Sequence, residues 1–179
     1  MKTLTLLRHA KSGWDDAVQR DFDRPLNAKG RRAAQAVGRF LKSEQTGFDH
    51  VLASPATRVR QTLDEVADGA GYTLSPEWER RIYLASVATL LDLVHALDDA
   101  HDTVLLVGHN PGLEDLVLLL VPDAAAGPRG DVEEKYPTAS LAQMTFAIDR
   151  WVDAGEGGAT LARFTRPRDL DPSLGPDED

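Results

Sequence analysis

The 179-residue chain contains no cysteine, which excludes a disulfide framework and any thiolate-held metal, and fits a reducing compartment. It has no membrane-length apolar run either, since nothing approaches the ~20 apolar residues that a spanning helix needs. The apolar start, Leu4 to Leu7, is broken at once by Arg8 and His9. It is too short for a signal-peptide core and no cleavage signature follows it, so a cytoplasmic protein is expected. Positive charge is scarce: 20 Lys+Arg against 29 Asp+Glu give a formal net charge of −9. Neither nucleic acid nor a membrane is therefore expected as partner, because both call for a net basic footprint. Any anion must be bound by a local cluster. His50, His95 and His101 show no ligand spacing with each other or with carboxylates, so no metal site and no cofactor are expected.

What is present reads as one globular domain over 1–167, followed by a proline-rich, acidic tail over 168–179 that is expected to be disordered. Leu4 to Leu7 suits a buried strand, and the polar segment Ala10 to Pro25 a long loop. Asn27 caps a helix reaching about Gln45, with Ala33, Val37, Phe40 and Leu41 on its apolar stripe. Val51 to Ala53 is a second strand, and Ser54-Pro55 opens a helix ending near Gly69 to Gly71. A weak extended stretch at Tyr72 to Leu74 leads to a helix capped by Ser86. Thr103 to Val107 is a strongly apolar strand, and Asn110-Pro111 opens a further helix. Pro122 to Pro137 reads as a loop, and Leu141 to Ile148 with Thr160 to Thr165 as a strand pair. Strands alternating with helices predict an α/β fold, a three-layer α/β/α sandwich with a mainly parallel sheet and a late antiparallel strand. Trp14, Trp78 and Trp151 are read as packing residues rather than a stacking platform.

Three of these strands end in basic or imidazole residues: Arg8-His9, Ser54-Pro55-Ala56-Thr57-Arg58 and Gly108-His109-Asn110-Pro111. Ligands of open α/β sheets sit at the carboxyl ends of strands. If these strands are neighbours, two arginines and two histidines meet in one crevice, and its natural guest is a small dianion. Helix N-termini favour phosphate there, and the arginine fork can hold two phosphate oxygens. His9, placed directly after a strand, is the expected nucleophile, attacking phosphorus to give a phosphohistidine that water cleaves. His109 is expected to donate a hydrogen bond to a transferring oxygen.

At these residues the chain resembles the histidine phosphatase superfamily (phosphoglycerate mutase-like), through Arg8-His9-Ala10, Ser54-Pro55-Ala56-Thr57-Arg58 and Gly108-His109. Within it the chain is similar to the small SixA-type phosphohistidine phosphatases, through Arg24-Pro25-Leu26-Asn27 with Gly30, Gln61-Thr62-Leu63 and the compact length. The resemblance spans roughly Lys2 to Leu120. It implies His9 as the phosphorylated nucleophile, Arg8 and Arg58 as phosphate clamps, His109 as transition-state partner and Arg24 as a further, substrate-binding phosphate contact. The plainer alternative for Arg24 is a salt bridge with Asp21 or Asp23. Ala10 departs from the family's glycine, so the loop must take a conformation open to an L-residue.

Related mutases and phosphomonoesterases carry an insertion that supplies a lid and a carboxylate acid, and this chain is short there. A phosphorylated imidazole departs readily, so phosphohistidine on a protein is the favoured substrate. Asp15, Asp16, Asp21, Asp23, Glu77 and Glu79 all stay open as acids. The alternatives are a small-molecule phosphomonoesterase with the same nucleophile, or a phospho-ligand-binding module without turnover.

Overall fold

The computed structural model describes residues 1–13, 20–123 and 127–176. Strands β1 (Lys2–Arg8), β2 (His50–Ala53), β3 (Glu77–Trp78), β4 (Thr103–Gly108), β5 (Leu141–Phe146) and β6 (Ala159–Thr165) form one sheet in the order β3-β2-β4-β1-β5-β6. β3, β2, β4 and β1 run parallel, and β5 is antiparallel to both of its neighbours.

The central strands are apolar because both of their faces are covered. Successive side chains point to opposite faces, so Leu4, Leu6, Val104 and Leu106 enter one core. Leu7, Leu105 and Val107 enter the other. Helices α3 (Val87–His95), α4 (Gly112–Leu120) and α5 (Arg129–Glu134) close the first core. The second lies under α1 (Ala28–Ser43) and α2 (Thr57–Ala70). These two helices touch backbone to backbone: a Cβ at Gly38 would stand 2.2 Å from the Val66 carbonyl oxygen, and one at Gly69 2.2 Å from that of Gln35. Only glycine at the crossing permits this approach. The expected three-layer architecture is what forms.

The capping logic holds at α1, where the Asn27 side chain accepts from Gly30 N, and at α3, where Ser86 accepts from Thr89 N. Gly71, at φ 71°, closes α2 in the left-handed conformation.

Four expectations are corrected. Helix α2 begins at Thr57 rather than at Pro55: the Ser54 hydroxyl accepts from Ala56 N in a turn ahead of the helix, and Ala56 at the N-cap position is not helical. The edge strand after α2 lies at Glu77–Trp78 rather than at Tyr72 to Leu74; it is two exposed residues whose pairing with β2 is reinforced by Glu79 N donating to Ala53 O, and such an edge carries no apolar alternation. Pro122 to Pro137 contains α5, fixed by buried Val132 and by Arg129 donating to the Leu118 and Val121 carbonyls. The tail expected to be disordered over 168–179 is structured through 176: helix α6 (Pro167–Leu170) and a 3-10 turn (Pro172–Leu174) follow β6, and Leu174 packs into the core beneath α1. Its polar composition concealed one buried leucine and an Arg166–Asp169 ion pair. Trp151 is fully buried as expected, whereas Trp78 is exposed under the Arg60 guanidinium.

For the site, the parallel register matters most. Arg8 stands opposite Gly108, and Ala53 opposite Val107. The chain therefore leaves β1, β2 and β4 side by side, at His9, Ser54 and His109.

Candidate active site

His9 and His109 are both buried, with ring centroids 5.4 Å apart. The Nδ1 atom of His9 lies 2.7 Å from the Ala10 carbonyl oxygen. A carbonyl only accepts, so Nδ1 carries the proton and the lone pair resides on Nε2. Burial, and after it the charges of Arg8 and Arg58 and the proximity of His109, push His9 down to about 3. Its imidazole is thus neutral at any ordinary pH. Ala10 is buried and its N–H donates to the Thr62 hydroxyl, which in turn donates to the Arg58 carbonyl. One threonine on α2 thereby locks the β1 loop to the helix bearing Arg58. Ala10 lies outside the left-handed region, so the loop accommodates it in place of glycine.

His109 is held from both sides. Arg58 Nη2 donates to its Nδ1 at 3.3 Å, and its Nε2 donates to the Ser54 hydroxyl at 2.8 Å. Burial and then the Arg58 charge push it, too, down to about 3. The Ser54 signal, read from sequence as a helix cap, thus serves the imidazole.

Both arginines are placed by carbonyls. Arg8 Nη1 donates to Tyr136 O at 2.8 Å, and Tyr136 is itself fixed by its buried hydroxyl donating to Leu6 O. Arg58, in the first turn of α2, donates to Asp21 O at 2.8 Å and to Asp21 Oδ2 at 3.1 Å. Each guanidinium retains a buried Nε–H with no partner among the described residues.

Asp21 is the hub of the remaining polar contacts. It accepts from Arg24 Nε at 2.8 Å, from Arg58 and from the Tyr83 hydroxyl at 2.6 Å. Burial alone would raise its pKa, but the Tyr83 and Arg24 hydrogen bonds and the Arg58 charge outweigh it and hold the carboxyl at about 2. Arg24 is brought beside Arg58 through this ion pair, which is the salt-bridge reading of the residue. Tyr83 stands edge-on to His109, with centroids 5.3 Å apart; burial and the Asp21 carboxylate raise its pKa.

The other candidate acids among the described residues are not brought to His9 and His109. Asp23 pairs with exposed Arg20, Glu77 with His50 and Glu79 with Arg81. Asp15 and Asp16, like Trp14, lie outside the described residues. Among the described residues no group of three or more His, Asp or Glu stands at metal-holding distance, and no helix is long and apolar enough to cross a membrane.

Within the Arg24-Pro25-Leu26-Asn27 stretch, Leu26 and Asn27, and after it Gly30, are architectural. Leu26 N donates to the Gln61 side chain, and Asn27 N donates to Lys11 O. A Cβ on Gly30 would meet that Lys11 oxygen at 2.1 Å, so the loop after β1 can cross α1 only over glycine. Sequence reasoning missed Tyr83, Thr62 and Tyr136 as site-building residues. Thr62 alone carried a signal, through the Gln61-Thr62-Leu63 triplet.

Sheet, strand ends and the paired imidazoles define a phosphoryl-handling α/β enzyme, and comparison with known proteins agrees. Residues 4–82 match the profile of the histidine phosphatase superfamily, branch 1. An uncharacterised protein of Mycobacterium tuberculosis is 36% identical over 166 residues, spanning 90% of this chain and 100% of that protein. The phosphohistidine phosphatase SixA of Escherichia coli K12 is 28% identical over 142 residues, 78% of this chain and 83% of SixA. A solved structure from Nakamurella multipartitia, described as a candidate phosphohistidine phosphatase SixA, superimposes with a TM-score of 0.79 at 31% identity, covering 93% of this chain and 96% of that one. The chain belongs to the histidine phosphatase superfamily. Within it the chain is a SixA-like phosphatase.

Proposed function

We propose that the protein hydrolyses phosphohistidine carried by a protein partner, without a metal, through a phosphoenzyme on His9. The carrying observation is the Nδ1–H to Ala10 O hydrogen bond, which leaves Nε2 of a neutral, buried imidazole as the attacking atom. In the first step Nε2 forms the new N–P bond while the bond from phosphorus to the substrate's imidazole nitrogen breaks. The electron pair stays on that nitrogen, and with the other ring nitrogen protonated the substrate leaves as neutral imidazole. In the second step water attacks phosphorus and the His9 N–P bond breaks. Because Nδ1 has kept its proton, His9 too departs as a neutral imidazole, releasing orthophosphate, and the proton from water passes to solvent.

Arg8 and Arg58 supply positive charge around the equatorial oxygens, as phosphoryl transfer requires. Arg24 adds to it from the far side of Asp21. His109 completes the cluster by hydrogen bonding a transferring oxygen once Arg58 turns from its Nδ1 to the phosphate and a proton takes that place, a change that the incoming dianion favours electrostatically.

The acids distinguish phosphohistidine from phosphate esters as substrate. An alkyl ester needs a strong proton donor to its leaving oxygen. Here Asp21, the carboxyl hydrogen-bonded to Arg58 and Tyr83, is ionised at neutral pH, and the proton on that network belongs to Tyr83, a weak acid. That donor suffices for imidazole and is poor for an alkoxide.

The test is to trap acid-labile phosphate on the wild-type protein and on His9→Ala, then compare phosphohistidine peptides, phosphoramidate and alkyl phosphate esters as substrates. Labelling that disappears with His9, together with faster turnover of the N–P compounds, is the expected result. Faster turnover of the esters overturns the substrate reading, and no label with no turnover leaves a binding module.

A further inference from the structure

Beside the histidine cluster lies a groove of about 510 Å³ lined by Arg8, Lys11, Lys29, Lys135, Arg166 and Arg168. No carboxylate is among the described residues lining it, although acidic residues outnumber basic ones by 29 to 20 in the whole chain. Arg8 is common to the groove and to the catalytic cluster, so whatever occupies the groove lies next to the phosphoryl group on His9.

The cations come from separate stretches: the end of β1 and its loop, the first turn of α1, the segment after α5, and the start of α6. Apolar Leu174, Ala33 and Pro137 lie among them. Compact phosphate sites instead converge backbone N–H groups on one point, commonly at a helix N-terminus. The α1 start offers no such nest, since its Gly30 N–H is taken by Asn27. Lys29 reaches across the groove wall to the Gly175 carbonyl, and Arg166 is partnered by Asp169. Lys135 and Arg168 are exposed at its rim. The volume is that of a pocket for a drug-sized ligand or a few residues of chain. Dispersed cations with apolar surface between them suit an extended peptide bearing several carboxylates.

We infer that this groove seats an acidic stretch of the protein that carries the phosphohistidine, next to the reacting residue. The inference rests on the phosphohistidine reading above and gives that reading a substrate class: histidine phosphorylated beside Asp and Glu. Local attraction of this kind operates within a Debye length, which is why a chain of net charge −9 can still recruit an acidic partner at one groove.

The experiment uses the full chain and two N-phosphorylated histidine peptides, one with three Asp/Glu residues flanking the histidine and one with serines there. Wild-type protein and a Lys135→Ala/Arg168→Ala variant are compared by kcat/KM, with phosphoramidate as control. Binding of the unphosphorylated acidic peptide is followed by fluorescence anisotropy. The expected result is a roughly tenfold preference for the acidic peptide at low salt, abolished in the double variant and by about 0.5 M NaCl. Phosphoramidate turnover stays unchanged, which shows that the variant is folded. Arg168→Glu turns the preference against the acidic peptide. Equal kcat/KM for both peptides on the wild-type protein overturns the inference. So does a preference that survives in the double variant, or tripolyphosphate binding through Lys135 and Arg168 where the acidic peptide fails to bind. Failure of the phosphohistidine reading looks different: neither peptide nor phosphoramidate is turned over while a phosphate ester is. The anisotropy measurement then decides the groove by itself.

Discussion

Two neutral histidines in one buried site make the fold acid-labile in a defined window. Unfolded, His9 and His109 each take a proton near pH 6.5. Folded, each resists protonation down to about pH 3, chiefly because burial disfavours the imidazolium. Between those values the unfolded chain binds more protons, so stability rises with pH. It is complete above about 6.5 and is lost as pH falls toward 3. Each histidine contributes a slope of about 1.4 kcal/mol per pH unit, and the pair about 2.7. From pH 6.5 to 4.5 that amounts to about 5 kcal/mol, a large part of the 5–15 kcal/mol that stabilises an ordinary domain. Carboxylates act in the same direction but lower: Asp21, held at about 2, loses its contribution only below its ordinary 3.8. Urea unfolding followed by circular dichroism from pH 7.5 to 4.5 measures the slope. His9→Asn and His109→Gln, which replace the donating ring nitrogen by an amide, should each halve it. A wild-type slope under about 1 kcal/mol per pH unit, or one that neither substitution changes, refutes the assignment of neutral imidazoles.

Other predictions concern single contacts. Asp21→Asn removes a carboxylate that competes for Arg58 and Arg24; at about 5 Å from a bound dianion that repulsion is worth about 1 kcal/mol net in a half-exposed setting, so orthophosphate should inhibit the variant roughly fivefold more strongly. Weaker inhibition would show that its aiming of the arginines outweighs the competition. Tyr83→Phe should lower turnover of alkyl phosphate esters at least tenfold and that of phosphoramidate only slightly, read as kcat on each. Gly30→Ala drives a methyl group into the Lys11 carbonyl and should cost about 2–4 kcal/mol in urea unfolding.

The parts of the fold legible in the sequence are those decided by residues close together in the chain. Val104 to Val107 announces a strand covered on both faces, and Asn27 and Ser86 announce helix starts, because an apolar period or a cap involves only a few neighbours. That β2, β4 and β1 lie side by side had to be supposed, since no residue of one strand names its partner. The same division runs through the site. His9, Arg58 and His109 stand at strand ends, where a charged or imidazole residue is conspicuous against the apolar run before it. Tyr83 lies between Ile82 and Leu84 and looks like one more packing aromatic; only its approach to Asp21, 62 residues away in sequence, gives it chemistry. Ser54 misled in a subtler way, since a Ser-Pro pair suits a helix cap and a histidine acceptor equally well.

The carboxylate at the centre of this basic cluster follows from the cost of building it. Arg8, Arg58 and Arg24 converge where burial already disfavours charge, and it lowers the pKa of Arg8. A buried cation without a counter-ion is among the costliest features a fold can hold. Asp21 meets that cost for Arg58 and Arg24 through both its side chain and its backbone carbonyl. The internal anion lets the arginines be present and aimed before substrate arrives. It also limits how tightly phosphate can bind, which favours release of orthophosphate after hydrolysis. A site built only to hold a phosphorylated ligand shares the gain in placement but not the gain in release, which serves a site that must discharge its product. The placement of Asp21 therefore argues for turnover over mere recognition, independently of the two histidines.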